Sequence, residues 1–195
     1  MTPSALLHFE ETEALLQGHF LLTSGLHSDR YLQCARVLMY PDRAEALAEQ
    51  LTEKIDSNPS IVVGPAIGGI TFAYEMGRAL GCPAVFAERV NGQFELRRGF
   101  HIAPGTRVLV AEDVVTTGGS VIEVIDMLRG RGADVVGVAS LVHRAKASPF
   151  DVPYSSLLQI IPPTWTESEC PLCEAGGRPE KPGSRARPGE GASAC

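Results

Sequence analysis

The chain has 195 residues, is 44% hydrophobic and carries a formal net charge of −6. That length and apolar share suit one α/β domain with a substantial core and leave little room for a second. The acidic balance argues against a general nucleic-acid binder. No run approaches the roughly 20 apolar residues that span a bilayer, and the first residues lack a basic segment followed by an apolar one, so a cytoplasmic protein is expected.

Residues 4–17 read as a helix, with Thr2 as N-cap, Pro3 at the first helical position and Gly18 just past the end. Residues 19–22 and 31–33 read as short strands around the turn-rich segment 23–29, a hairpin or small lobe. Residues 41–56 are rich in Ala, Leu and Glu at helical spacing and predict a surface helix that ends before Asn58 and Pro59. Ile61, Val62 and Val63 form a buried strand. It runs into a Gly-rich turn at 64–69 and a helix over 70–80 closed by Gly81. Such a turn offers backbone N–H groups to an anion. Residues 84–88 are another strand, and 89–99 form a polar, Arg-bearing stretch without a clear period. One reading makes 94–98 a hairpin strand with solvated Arg97 and Arg98.

The most informative stretch is 108–120. Its first four residues are a continuous apolar run, as in a parallel strand covered on both faces. Glu112 and Asp113 stand where that strand is expected to end, and paired carboxylates suit two adjacent hydroxyl donors such as those of a ribose. Thr116, Thr117, Gly118, Gly119 and Ser120 follow. Glycines let successive N–H groups turn into one concavity, and a helix over 121–131 adds its positive N-terminal end, a combination that favours a dianionic phosphate. An ordinary strand-to-helix loop with a Ser N-cap is the plainer alternative.

Within the next helix Val121, Ile125 and Leu128 share one face. Residues 135–142 are nearly all apolar and predict a central strand that emerges at His143 and Arg144. An Arg just beyond a parallel strand sits where open α/β sheets bind ligands, and its fork meets a carboxylate with two hydrogen bonds. For His143 a structural or supporting role is expected. Residues 156–161 read as the last strand, broken by Pro162 and Pro163. Residues 174–195 contain no large apolar side chain and predict a disordered tail. The five cysteines, an odd number, point to reduced thiols. Cys170 and Cys173 have the spacing of half a zinc knuckle, whose other half is expected to be missing from this chain. A structural or incidental pair and a site shared across a dimer both stay open.

The apolar run, acidic pair, Thr/Gly/Ser loop and helix resemble the ribose-phosphate motif of the type I phosphoribosyltransferases. The Phe-x-Leu-x-Ser-Gly pattern from Phe20, followed by Ser28 and Tyr31, is similar to the N-terminal hood of orotate-using members, although Thr23 stands where the family often has Lys. The resemblance implies an α/β fold with a central, mostly parallel sheet flanked by helices, and a single domain over 1–173 with a small hood over about 1–40. It implies transfer of the phosphoribosyl group of phosphoribosyl pyrophosphate (PRPP) to orotate, with Mg²⁺ held mainly by substrate and water rather than by protein ligands, in a homodimer. It assigns Glu112, Asp113, Val114, Val115, Thr116, Thr117, Gly118, Gly119 and Ser120 to PRPP. Ala66, Ile67, Gly68 and Gly69 fall to the pyrophosphate, Thr116 and Arg144 to orotate, and Asp113 and Arg89 to catalysis. A phosphoribosyltransferase for another base and a non-catalytic PRPP-binding regulator are the alternatives.

Overall fold

The computed structural model describes residues 4–22 and 24–182. In chain order, α1 (Ala5–Glu11) leads into a hairpin of β1 (Leu15–Leu21) and β2 (His27–Leu32), then α2 (Ala35–Leu38) and α3 (Pro41–Thr52). There follow β3 (Ile61–Pro65), α4 (Gly68–Leu80), β4 (Ala84–Val90), β5 (Gln93–Leu96), β6 (Arg107–Val115), α5 (Gly119–Gly130), β7 (Asp134–His143) and β8 (Tyr154–Gln159). The last elements are β9 (Thr164–Trp165), a 3-10 turn (Glu167–Glu169) and α6 (Pro171–Glu174).

The main sheet has the order β5-β4-β3-β6-β7-β8, parallel except for β5. This matches the α/β architecture expected from the sequence. Successive residues of its inner strands point to opposite faces, and both faces are covered. Val62, Leu109 and Ala111 join a core with Leu47, Leu51, Phe72 and Met76 of α3 and α4; Val63, Val108 and Val110 join a second core with Val121, Val124 and Leu128 of α5. Each fully buried Val, Leu, Phe or Met side chain among them contributes about 1.5–3 kcal/mol. The continuous apolar runs are therefore a consequence of two-sided burial. From β3 the chain steps through α4 to β4 on one side, then returns through β6 and α5 to β7 on the other. The order of strands thus reverses between β3 and β6, leaving a crevice at their C-terminal ends, where open α/β sheets bind ligands.

Several boundaries differ from the sequence expectation. Helix α1 stops at Glu11 because the Thr12 hydroxyl donates to the His8 carbonyl at 2.8 Å, and residues 15–17 instead enter the β1–β2 ladder. Ser4 is its N-cap; the expected cap at Thr2 lies outside the described residues. Helix α3 ends at Thr52 rather than at 56, with the Thr52 hydroxyl on the Glu49 carbonyl. The stretch 89–99 contains the hairpin that one reading of the sequence predicts, with its second strand at 93–96 rather than 94–98: β4 continues to Val90, Asn91 and Gly92 turn with positive φ, and β5 alternates buried Phe94 and Leu96 with exposed Gln93 and Glu95. Strand β6 extends to Val115 through its pairing with β7, so Glu112 and Asp113 lie within it rather than past its end.

The small sheet, β1-β2-β9, takes its third strand from Thr164–Trp165, far outside the first 40 residues. Of the segment expected to be a tail, residues 174–182 are described, and Gly177 and Glu180 touch this sheet. The Glu180 N–H donates to the His19 carbonyl and the Leu21 N–H to the Glu180 carbonyl, both at 2.7 Å. Residues 183–195 lie outside the described residues, as does Thr23. Among the described residues no helix is long and apolar enough to cross a membrane.

Candidate active site

The crevice holds two cavities that meet. The first, of about 450 Å³, is lined by Pro65 to Gly68 at the β3–α4 turn, by Glu112 to Val121 at the β6–α5 turn, and by Glu123. Gly118 precedes α5 with φ 77°, and a β-carbon there would strike Pro149 and Phe150 at 2.6 and 2.8 Å, so both backbone angle and packing require glycine. The first intrahelical bond runs from the Ile122 N–H to the Gly118 carbonyl, which leaves the preceding N–H groups of the turn without a helical acceptor. The residues that carry them line the cavity, together with the hydroxyl-bearing Thr116, Thr117 and Ser120. This makes an anion cradle at the positive end of a twelve-residue helix.

The acidic pair is held by backbone donors. The Asp113 N–H donates to Glu112 Oε1 at 3.0 Å and the Val114 N–H to Asp113 Oδ1 at 2.8 Å, which fixes both carboxylates. Glu112 is buried and Asp113 half-buried. Opposite them, the Ala66–Ile67 peptide is cis and Ile67 is exposed. Gly69 lies beneath this turn rather than on the cavity wall: a β-carbon there would sit 2.9 Å from the Ala111 carbonyl and 3.1 Å from Glu112 Oε1.

The second cavity, of about 580 Å³, shares Asp113, Val114, Thr116 and Thr117 with the first. Its remaining walls come from the small sheet and its flanks, including Tyr31, Cys34, Ile161 and Thr164, and from Arg144. Arg144 follows β7 directly, and its N–H donates to the Val115 carbonyl at 2.8 Å. Its Nε is buried with no hydrogen-bond partner among the described residues, and burial pulls the guanidinium below its ordinary pKa. A forked cation in such a setting calls for an anionic ligand group. Burial, then the nearby Asp113 and Glu112, pushes the Cys34 thiol well up, so it stays neutral.

The expected loop arginines behave differently from one another. Arg89 donates to both carboxylate oxygens of Glu123, at 2.7 and 2.9 Å, and to the Gly92 carbonyl at 2.6 Å, with its guanidinium 4.2 Å from the Phe94 ring centre. Since Glu123 lines the first cavity, Arg89 stands one residue back from it. Arg98 pairs instead with Glu88, and Arg97 is exposed. No local pattern marks Glu123, which lies one turn into α5. Nor does one single out Cys34 or the contribution of residues 161–164 to the second cavity. His143 is buried, its ring 5.0 Å from that of Tyr154.

An anion cradle and a carboxylate pair at the switch point of a mostly parallel sheet define a phosphoribosyl transferase domain. Residues 37–171 match that family, and the chain belongs to it. Within the family, the chain is 50% identical over 179 residues to the orotate phosphoribosyltransferase of Caldanaerobacter subterraneus subsp. tengcongensis, covering 91% of this chain and 94% of the relative. It is 51% identical over 181 residues to the orotate phosphoribosyltransferase of Carboxydothermus hydrogenoformans, covering 91% and 95%. The solved orotate phosphoribosyltransferase of Aeropyrum pernix superposes with a TM-score of 0.69 at 25% identity, over 80% of this chain and 93% of that one.

Proposed function

We propose that the protein transfers the phosphoribosyl group of PRPP to orotate, giving orotidine 5′-monophosphate and pyrophosphate in UMP synthesis. One observation carries this reading: the anion cradle and the cavity around Arg144, whose Nε has no partner among the described residues, meet at Asp113 and Thr116. A donor and an anionic acceptor bound one on each side would have their reacting atoms at that junction. The half-identical relatives that share nearly the whole chain add support.

In this reading residues 116–120 hold the 5′-phosphate, and Glu112 and Asp113 accept hydrogen bonds from the ribose hydroxyls. Residues 66–68 face the pyrophosphate, with Gly69 packed beneath their turn. Arg144 pairs with the orotate carboxylate, and Thr116, on the wall of both cavities, contacts donor and acceptor. A ring nitrogen of orotate, its proton released to solvent, attacks the anomeric carbon as the bond to pyrophosphate breaks, through a transition state of oxocarbenium character that needs no covalent nucleophile. The enzyme contributes alignment, and Asp113 stabilises the positive charge that develops on the ribose. Arg89 neutralises the leaving group after exchanging Glu123 for it. The carboxylates of Glu112 and Asp113 on the cavity wall fit Mg²⁺ brought in by the substrate, and the ion would supply charge neutralisation on the pyrophosphate. A cytoplasmic homodimer, implied by the family resemblance, is the form in which we expect the enzyme to work; sedimentation equilibrium tests the dimer.

The reaction is tested by following orotate absorbance with PRPP and Mg²⁺, then repeating with uracil, hypoxanthine and adenine. Consumption of orotate alone is expected. Turnover of a purine or of uracil in its place would reassign the acceptor, and no turnover of any base would favour a non-catalytic PRPP binder.

A further inference from the structure

Four metal-ligating side chains that line neither cavity converge at the base of the small sheet. His19 and His27 come from the β1–β2 hairpin, Cys170 and Cys173 from the turn into α6, and their ligand atoms all lie within 4.8 Å of one another. Cys170 and His27 are buried. The half zinc knuckle at the C-terminal end therefore meets its complement, which the sequence pattern hid because the histidines stand about 150 residues earlier.

The spacing is that of a coordination shell. A tetrahedral ion with Zn–N near 2.0 Å and Zn–S near 2.3 Å sets N···N, N···S and S···S edges of about 3.3, 3.5 and 3.8 Å. Here His19 Nε2 and His27 Nδ1 are 2.9 Å apart, His19 Nε2 is 3.4 Å from Cys170 Sγ and 3.6 Å from Cys173 Sγ, and His27 Nδ1 is 3.2 Å from Cys173 Sγ. Hydrogen bonding does not account for this set. One imidazole nitrogen donates or accepts a single strong bond, whereas His19 Nε2 is in reach of three partners at once. The backbone around the cluster is also shaped to it. A bulge between Gln17 and Phe20 re-aims His19, which shares the hairpin face of Leu21, the residue paired with His27. Gly177 packs so closely that a β-carbon would lie 3.3 Å from His19 Nδ1 and 2.9 Å from the Leu172 carbonyl.

We propose that His19, His27, Cys170 and Cys173 bind one structural zinc ion that fastens residues 164–180 to the small sheet. Binding displaces one proton from each thiol to solvent, with no change of oxidation state, and the neutral two-thiolate complex is one that a partly buried site tolerates. Two sulfurs and two nitrogens in a tetrahedron select zinc over harder cations, and four protein ligands leave no open position for catalysis. The fastened segment includes Thr164, a wall of the acceptor cavity, so the ion acts on the active site only through the placement of that wall.

The test uses the full chain, produced with zinc in the medium, reduced and desalted, with metal content measured by plasma mass spectrometry. About one zinc per chain is expected. Cys82→Ser, which touches none of the four, should retain it, and Cys173→Ser and Cys170→Ser/Cys173→Ser should fall below about a tenth of that value. His19→Cys should keep the ion, since Cys₃His is also a zinc set. Cobalt exchanged into the wild-type chain should give the intense visible bands of a tetrahedral thiolate site, absent in Cys173→Ser. Less than about a tenth of a zinc per wild-type chain after exposure to excess zinc would overturn the proposal. A Cys170–Cys173 disulfide in the freshly reduced protein, or a weak octahedral cobalt spectrum, would do the same. Wild-type stoichiometry and spectrum decide the matter even if the cysteine variants do not fold, and they are independent of which base the enzyme uses.

Discussion

Gly68 and Asp113 face each other across the crevice between β3 and β6 so closely that a β-carbon at Gly68 would stand 3.0 Å from Asp113 Oδ1 and 3.2 Å from Oδ2. The turn that faces the pyrophosphate in the proposed reaction and the carboxylate that positions the ribose are thus in mutual contact. In Gly68→Ala the carboxylate must move by a few tenths of an ångström, while the helix start gains a better helix former. The expected result is an unchanged or higher melting temperature together with a tenfold or greater fall in kcat/KM for PRPP. Wild-type kinetics would mean that Asp113 has room to give.

Asp113→Asn keeps the size of the side chain and its acceptor for the Val114 N–H. Only the charge is lost. If that charge stabilises the oxocarbenium-like ribose, kcat should fall about 10²- to 10³-fold, the range seen when a preorganised electrostatic group is removed. Thermal unfolding should shift by no more than about 2 °C, since no buried hydrogen bond is broken. Near-normal turnover would remove Asp113 from the mechanism.

Arg144→Ala should act on the other substrate. A charge-assisted hydrogen bond is worth about 1.5–3 kcal/mol, which corresponds to a rise in orotate KM of roughly 10- to 150-fold. The KM for PRPP should stay within about twofold, because Arg144 lines only the second cavity. Steady-state kinetics with each substrate varied in turn checks this, and a defect confined to PRPP would reverse the assignment of the two cavities.

The parts of the site legible in the sequence are those that one local segment determines. The run from Val108 to Ser120 carries strand, carboxylates, glycine turn and helix start in a row, and the crevice then follows from connecting two such strand–turn–helix units in opposite directions. Arg144 was legible for the same reason, since a strand that is apolar to its end delivers the next residue to the ligand side. What escaped is decided by pairing between distant segments. Leu15 and Leu16 carry a helical pattern but pair with Leu32 and Tyr31, and no local period announces a partner that far away. Glu123 is an unremarkable surface position of α5 until the β4–β5 hairpin brings Arg89 against it. Likewise a Cys-x-x-Cys pair with its histidines in another hairpin has no linear signature.

The Cys34 thiol makes a prediction in pH. Burial and the adjacent Asp113 and Glu112 raise its pKa well above the ordinary value, so the thiolate, the form that reacts with alkylating agents, is rarer than for a free cysteine at any pH below that raised value. Iodoacetamide at pH 8 should therefore label Cys82, half exposed, many times faster than Cys34, and Cys34 should catch up only on unfolding. Peptide mass spectrometry of a time course reads both rates. Rapid labelling of Cys34 in the folded protein would mean that the floor of the acceptor cavity opens readily.

Arg89 supplies the most demanding test, because its resting partner is known. Exposed ion pairs contribute only about 0.2–1 kcal/mol, so Arg89→Ala should unfold within a few degrees of wild type. If Arg89 leaves Glu123 for the departing pyrophosphate, the same variant should lose 10- to 100-fold in kcat. Glu123→Gln should do the opposite of a structural defect: with the competing carboxylate neutralised, Arg89 is held less firmly in its resting place, and the KM for PRPP should fall or stay level. Measuring both variants together separates the alternatives. A purely structural pair predicts equal, small losses for the two, whereas a leaving-group role predicts that removing the arginine is costly and neutralising its partner is not.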